Sequence, residues 1–311
     1  MALRASIDIG TNTALLLVGE ANDGHVNVIR EEQRVPRLGR GVDKDKYLSD
    51  ESIDRVLKAL NEYKKILAEE YPEVQSVVIT ATSAVRDASN RDQFCQYIEQ
   101  KTGWPVKILS GLEEAEWTYA GAISVLTELP DSEYGNMILD IGGGSTEIAY
   151  GKHNQLYDSH SFNIGSVRFT ERYFKHDPPL NDEIAQCRKA IAESLKSRRI
   201  QFEDDFNMIG VAGTVTSLAF IELGLSEYDP DKINGYVLTH SGILSFIDWF
   251  SEMTHQQMID QYPEVMTGRA DIFMAGLLIL ETFLDYYDQD KIIVSTGGIR
   301  HGALLKNLIS Q

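Results

Sequence analysis

One short pattern occurs twice in this chain, and it limits the fold more than any other feature. Ile7-Asp8-Ile9-Gly10-Thr11-Asn12-Thr13 has a counterpart in Leu139-Asp140-Ile141-Gly142-Gly143-Gly144-Ser145, with Asp8 and Asp140 separated by 132 residues. Each copy reads as an apolar strand ending in an aspartate, then a glycine turn, then a second strand. Gly19 and Gly151 keep the same separation and are read as closing the two hairpins. Two copies this far apart imply two related lobes, because a solenoid needs shorter and more numerous repeats.

The remainder of the chain alternates strand-like and helix-like segments, the pattern of an α/β protein. Leu3 to Ile9, Ala14 to Gly19 and His25 to Glu31 read as strands, as do Val74 to Ile79 and Val106 to Leu109. Ile53, Val56, Leu57, Leu60, Tyr63 and Leu67 fall on one stripe of a helix that starts at Asp50. In the second half, Asn136 to Ile141, Ser145 to Tyr150, Gln155 to Asn163, Met208 to Ala212 and Lys291 to Ser295 are predicted strands, and a long apolar helix starts at Arg269. We expect a first domain over 1–122 and a second over 123–298, with a last helix over 299–311 packing back on the first.

With 311 residues, two lobes can each bury a core. The net charge of −18 argues against non-specific nucleic-acid binding, which needs Lys and Arg to displace counterions, and against an anionic membrane surface. The two cysteines, Cys95 and Cys187, show no metal-binding or disulfide spacing, and Asp8 falls where a signal peptide needs an apolar core. These features point to a cytoplasmic protein.

The repeated turn suits phosphate. Glycine lets backbone N–H groups approach an anion closely, and successive N–H groups form a nest. Gly10, Thr11, Asn12 and Thr13 in one copy, and Gly142, Gly143, Gly144, Ser145 and Thr146 in the other, are the candidate phosphate contacts. Asp140 ends one strand and Glu147 begins the next, so both carboxylates can converge on a hard cation. Asp8 is the first-lobe counterpart. The bland alternative is a pair of ordinary glycine hairpins with solvated carboxylates, and duplication argues against it.

Two further blocks make the pattern specific. Ala81-Thr82-Ser83-Ala84-Val85-Arg86-Asp87-Ala88 and Ser110-Gly111-Leu112-Glu113-Glu114-Ala115 stand between the two turns. Together the four blocks resemble the exopolyphosphatase / guanosine pentaphosphate phosphohydrolase (Ppx/GppA) family of the actin, sugar-kinase and Hsp70 superfamily, and the resemblance continues to Gly297-Gly298-Ile299-Arg300. It implies two actin-like, ribonuclease H-like lobes with an active-site cleft between them. It also implies hydrolysis of terminal phosphate from inorganic polyphosphate or guanosine pentaphosphate, with Mg²⁺ or another divalent cation. The chain resembles the short, two-domain form of the family, for which a homodimer is a further expectation. It departs from many relatives at Arg300-His301-Gly302, where they carry Arg-Glu-Gly, and at Gly210-Val211-Ala212-Gly213-Thr214-Val215-Thr216, which is less glycine-rich.

Ser110 and Glu113 fit a capping box, which gives Glu113 a structural task and turns Glu114 about 100° around the helix. Acidic residues in a first helical turn commonly report the helix dipole alone. By the resemblance, Glu114 is the catalytic carboxylate that activates water. Arg86, Arg269 and Arg300, with Gly213 and Thr214, are the remaining candidate substrate contacts, and Arg34, Arg37 and Arg40 lie in a glycine-containing segment that offers further phosphate clamps. Three other readings stay open from the residues: an ATP-dependent small-molecule kinase of the same superfamily, a non-catalytic polyphosphate or alarmone-binding module, and an actin-like filament protein.

Overall fold

The computed structural model describes residues 2–126, 133–153, 155–202 and 205–306. These divide into two compact units, 1–125 with 297–311, and 126–296. The first unit runs β1 (Arg4–Ile9), β2 (Ala14–Asn22), β3 (His25–Arg34), α1 (Val42–Asp45), α2 (Asp50–Glu70), β4 (Val77–Ala81), α3 (Ser83–Asp87), α4 (Arg91–Thr102), β5 (Val106–Ile108) and α5 (Gly111–Ser124). The second runs β6 (Gly135–Ile141), β7 (Thr146–Lys152), β8 (Gln155–Phe162), α6 (Ser166–Tyr173), α7 (Asn181–Leu195), β9 (Phe206–Val211), α8 (Ala212–Glu222) and α9 (Pro230–Ile233). It continues through β10 (Val237–Thr239), α10 (His240–Ser251), α11 (His255–Gln261), α12 (Pro263–Met266), α13 (Ala270–Tyr287) and β11 (Lys291–Val294). The chain then returns to the first unit as α14 (Ile299–Leu305), and residues 307–311 of the predicted last helix lie outside the described residues.

The duplication is one of topology. The first sheet has the order β3-β2-β1-β4-β5, and the second repeats it as β8-β7-β6-β9-β11 with β10 added at the edge. In both, the first strand is antiparallel to the second and parallel to the fourth. The register shows where the copies diverge. Asp8 stands opposite Leu15, whereas Asp140 stands opposite Glu147, so only the second unit places two carboxylates across one ladder from each other. The paired glycines have a different task from the one expected. The register of β2 against β3 shifts at Val18/Gly19, and that of β7 against β8 at Tyr150/Gly151. Gly19 and Gly151 therefore mark equivalent β-bulges within strands instead of closing hairpins. The β2–β3 turn is made by Asp23 and Gly24, both at positive φ, as a two-residue hairpin requires.

Each unit has its own core. In the first, the predicted stripe of α2 buries Val56, Leu60, Tyr63 and Leu67, and the Tyr63 hydroxyl donates to the Ala14 carbonyl at 2.7 Å. Fully burying an aliphatic or aromatic side chain of this size contributes about 1.5–3 kcal/mol. The Val74 segment enters the sheet later than its apolar pattern suggests: β4 starts at Val77, because the Val74 N–H closes a turn onto Tyr71 and the Gln75 N–H bonds to Leu3. In the second unit α13 is apolar all round and accordingly buried, with its one inward carboxylate, Glu281, bonded to Arg188 at 2.9 Å. No helix among the described residues is long and apolar enough to cross a membrane.

Helix α14 reaches the first unit by backbone contact. A Cβ added at Gly121 of α5 would collide with the Gly298 carbonyl, and one added at Gly302 of α14 with the Trp117 carbonyl. Backbone cannot yield as a flexible side chain does, so the crossing tolerates no side chain at either point. Gly121→Ala should lower stability by at least about 1–3 kcal/mol, the usual cost of overpacking. Gly298→Ala, whose Cβ meets nothing within 4 Å, should stay near wild type in the same denaturant titration.

Candidate functional site

In the first unit, the turn after β1 is closed by the Gly10 N–H donating to Thr13 O at 2.8 Å. The segment after β3 fastens to its other side: the Arg37 and Gly39 N–H groups donate to the carbonyls of Asn12 and Thr11 at 3.0 and 2.8 Å. In a planar trans peptide the carbonyl and the following N–H point in opposite directions. The N–H groups of Asn12 and Thr13 are therefore turned away from this segment. Thr11 shares a hydroxyl hydrogen bond of 2.9 Å with Ser83 at the start of α3, and Asp8 accepts from Thr80 on β4 at 2.9 Å.

Helix α3 carries Arg86, which donates to the Glu114 carboxylate at 2.8 Å and to the Leu109 carbonyl at 3.0 Å. Glu114 is buried, with 6% of its side chain exposed. Its neighbour Glu113 completes the capping box with Ser110 and pairs with Lys107 at 3.0 Å. The Ser110 N–H and Lys107 hold the Glu113 carboxyl below the usual carboxylate range. Two adjacent glutamates thus divide the work, one ending the helix and the other presented inward to an arginine.

The other arginines have distinct surroundings. Arg34 ends β3 instead of lying in the glycine-containing segment, and there it pairs with Glu32 and Glu62 and lies over the Tyr63 ring. Arg37 adopts positive φ beside the first turn, and Arg40 is exposed. Arg300 pairs with Glu31 at 3.0 Å, and its carbonyl accepts from Ser6. Next to it His301 is buried, with its ring 3.9 Å from the same Glu31 oxygen.

In the second unit, the turn after β6 is closed as in the first, with the Gly142 N–H donating to Ser145 O at 3.0 Å. The first turn of α6 then takes hold of it. Ser166 N–H donates to Gly142 O, and Val167 and Arg168 N–H donate to Gly143 O, at 2.9–3.0 Å. The Arg168 guanidinium donates to Gly144 O at 2.6 Å. With three successive carbonyls drawn toward α6, the N–H groups of Gly143, Gly144 and Ser145 are directed the opposite way. That is the form of an anion nest, built by a helix N-terminus. Arg168 carried no signal in the sequence beyond following a Gly-Ser pair. Its role depends on α6 folding against the turn.

Asp140 and Glu147 are both buried and opposed across β6–β7, so their side chains share one face at a Cβ separation of about 4.5–5.5 Å. Glu147 accepts from Ser161 at 2.6 Å, and Thr146 donates to the Ile164 carbonyl. At the β9–α8 junction Ala212 adopts φ of 67°, which costs a non-glycine residue about 1–2 kcal/mol. Gly213 follows because the Arg269 guanidinium occupies the space of its absent Cβ. Arg269 donates to Gly213 O and to the Ser217 hydroxyl at 2.8 Å, and burial pushes its guanidinium below its ordinary pKa. Thr214 is buried beside it, against Gly276 of α13.

A duplicated unit of this topology, with a glycine turn after the first strand of each copy, defines an α/β protein of the actin-like class. The family model of the Ppx/GppA phosphatase family matches residues 17–311. The chain is 34% identical over 314 residues to a bifunctional 3-dehydroquinate synthase/phosphatase of Fusobacterium nucleatum, covering 98% of this chain but 46% of that protein, about half its length. It is 33% identical over 288 residues to exopolyphosphatase 2 of Mycobacterium tuberculosis, covering 89% and 88% of the two chains. Among solved structures, the Aquifex aeolicus Ppx/GppA phosphatase superposes with a TM-score of 0.77 at 30% identity, covering 99% of this chain and 100% of that one. A crystal structure of an exopolyphosphatase-like protein superposes with a TM-score of 0.90 at 30% identity, covering 98% and 97%. The chain belongs to the Ppx/GppA phosphatase family.

The His301 surroundings carry a pH consequence. Burial, and then the Arg300 charge, hold its imidazole well below the ordinary histidine value of about 6.5. The folded chain keeps it neutral while the unfolded chain protonates it, so its contribution is complete above about pH 6.5 and is lost as the pH falls below that value. Wild type should lose at most about 1.4 kcal/mol per pH unit through this group. His301→Gln should flatten the slope in denaturant titrations between pH 7 and 5.

Proposed function

We propose that this protein is an exopolyphosphatase that releases the terminal phosphate of inorganic polyphosphate, and that guanosine pentaphosphate is a second substrate offering the same phosphoanhydride. The observation that carries this reading is the nest at Gly142–Ser145, its three N–H groups directed together by α6 and Arg168. The Ser145 hydroxyl oxygen is buried there without a hydrogen-bond partner, an arrangement that an incoming phosphate oxygen would satisfy. Family membership and the exopolyphosphatase relative support the same reading.

Asp140 and Glu147 suit a Mg²⁺ ion. Among the described residues no group of three or more His, Cys, Asp or Glu makes a full protein cage. Mg²⁺ is commonly held by one or two carboxylates, with water and substrate phosphate completing its shell. When bound, the ion supplies charge neutralisation at the phosphate oxygens. The residues do the remainder. The Gly142–Thr146 turn holds the terminal phosphoryl group, and the Gly10–Thr13 turn, with Asp8 bonded behind it, holds phosphate in the first unit. Gly213 and Thr214, braced by Arg269, add polar contacts, while Arg300 adds charge to the phosphate chain.

Glu114, oriented by Arg86, accepts a proton from the attacking water. The water oxygen bonds to the terminal phosphorus as the bridging P–O bond breaks, and the shortened chain leaves with the electron pair. Phosphoryl transfer asks mainly for such positioning and charge. We place the reaction in the cytoplasm, since both cysteines are free thiols.

Glu114→Gln should lower phosphate release from polyphosphate by about 10²–10⁴-fold, the usual share of a general base, while polyphosphate binding persists. Asp140→Asn should raise the Mg²⁺ concentration needed for half-maximal release. Near-wild-type release by Glu114→Gln would remove that residue from the role. Binding without release by the wild-type protein would favour a binding module.

A further inference from the structure

The second unit contains a cavity of about 190 Å³ whose lining includes none of the glycine turns. Its floor is apolar and buried, formed by Met258 of α11 and by Ala270 and Met274 of α13. Thr170 of α6 lines it as well, and the Thr170 hydroxyl oxygen is buried without a hydrogen-bond partner. The charged groups at its rim are already engaged. His255 pairs with Asp177 at 3.2 Å, His176 with Glu183 at 2.9 Å, and Lys175 donates to the Glu171 carbonyl at 2.6 Å.

These observations limit the occupant. An apolar cavity of about 150 Å³ is large enough to take up benzene. The present volume therefore suits a single ring with a small substituent. With both rim histidines paired with carboxylates, Lys175 held on a carbonyl and Asp271 engaged as well, a charged ligand must displace an existing contact, while the Thr170 hydroxyl asks for one hydrogen bond. The location gives such binding a consequence. Thr170 lies two residues beyond Arg168, on the helix whose first turn holds the Gly142–Gly144 carbonyls, and Ala270 directly follows Arg269, which braces Gly213.

We propose that this cavity is a regulatory binding site for a small uncharged ring bearing one hydroxyl, a phenol-like molecule, whose occupancy alters the hold of α6 on the glycine turn. The site stands on the cavity alone and does not require the phosphatase reading.

The test is a titration of the full-length protein, labelled with ¹³C at the methionine methyls and ¹⁵N at the amides, with phenol and with benzene. Met258→Leu and Met274→Leu assign the two methyl signals. We expect saturable shifts of both at about millimolar phenol, and benzene binding about two- to tenfold more weakly for want of the hydrogen bond to Thr170. Thr170→Val should bring phenol down to the benzene affinity, and Ala270→Leu, which fills the floor, should abolish both. If Ala270→Leu fails to fold, the Thr170→Val comparison decides. Absence of saturable methyl shifts, or equal affinities for the two probes, overturns the site. Binding that leaves the Gly143 and Gly144 amide signals unmoved overturns its regulatory role. A protein that binds phenol as described but releases no phosphate counts against the proposed function and not against this site.

Discussion

The second-unit turn depends on one set of contacts, the hydrogen bonds from the start of α6 to the carbonyls of Gly142, Gly143 and Gly144. A glycine turn left to itself samples many peptide orientations, and an anion nest needs several N–H groups directed together. Helix α6 removes that freedom by drawing the carbonyls to its own unsatisfied first-turn donors, with Arg168 taking the third. One interaction thus caps a helix, orders a turn and orients the amides opposite. The first unit reaches a related result differently, with the N–H groups of Arg37 and Gly39 holding the carbonyls of Asn12 and Thr11.

Charge is used locally in a chain of net charge −18. At long range such a protein repels a polyanion, but salt screens that beyond about 10 Å. Within the units, Arg168 is buried and donates to the Gly144 carbonyl, and the half-buried Arg269 donates to the Gly213 carbonyl and the Ser217 hydroxyl. A hydrogen bond to a neutral carbonyl or hydroxyl holds a guanidinium in place without cancelling its charge. Arg86 and Arg300 are instead paired with Glu114 and Glu31, which holds each guanidinium in one place. The design gives a few fixed cations amid an otherwise acidic surface.

The two copies of the β-hairpin have kept their topology and diverged in chemistry. Both retain the aspartate, the turn closure and the bulge glycine. The position facing the aspartate is leucine in one and glutamate in the other, and that difference alone places the carboxylate pair in the second unit. In the first unit, Asp8 is bonded to Thr80 on the neighbouring strand.

The duplicated motif, the period of the α2 stripe and the Ser110–Glu113 cap were all legible in the chain, because each is written in residues close together. The resemblance named Arg86 and Glu114 separately, and their pairing was not legible, since those residues are 28 apart and meet through the β4–β5 ladder and the helices that follow it. Arg34 was placed in a glycine-containing segment with Arg37 and Arg40, because its place on β3 beside Glu32 and its reach to Glu62 on α2 are not visible from spacing. Gly19 and Gly151 were misassigned for a similar reason, as a bulge is defined by the partner strand. By itself, then, the sequence determined the repeat, the element types and the residue kinds at each turn. Only the tertiary structure decided which way the turn amides face, which arginines hold carbonyls and which hold carboxylates, and that Arg168 belongs among them, because each is a matter of contact between segments distant in the chain.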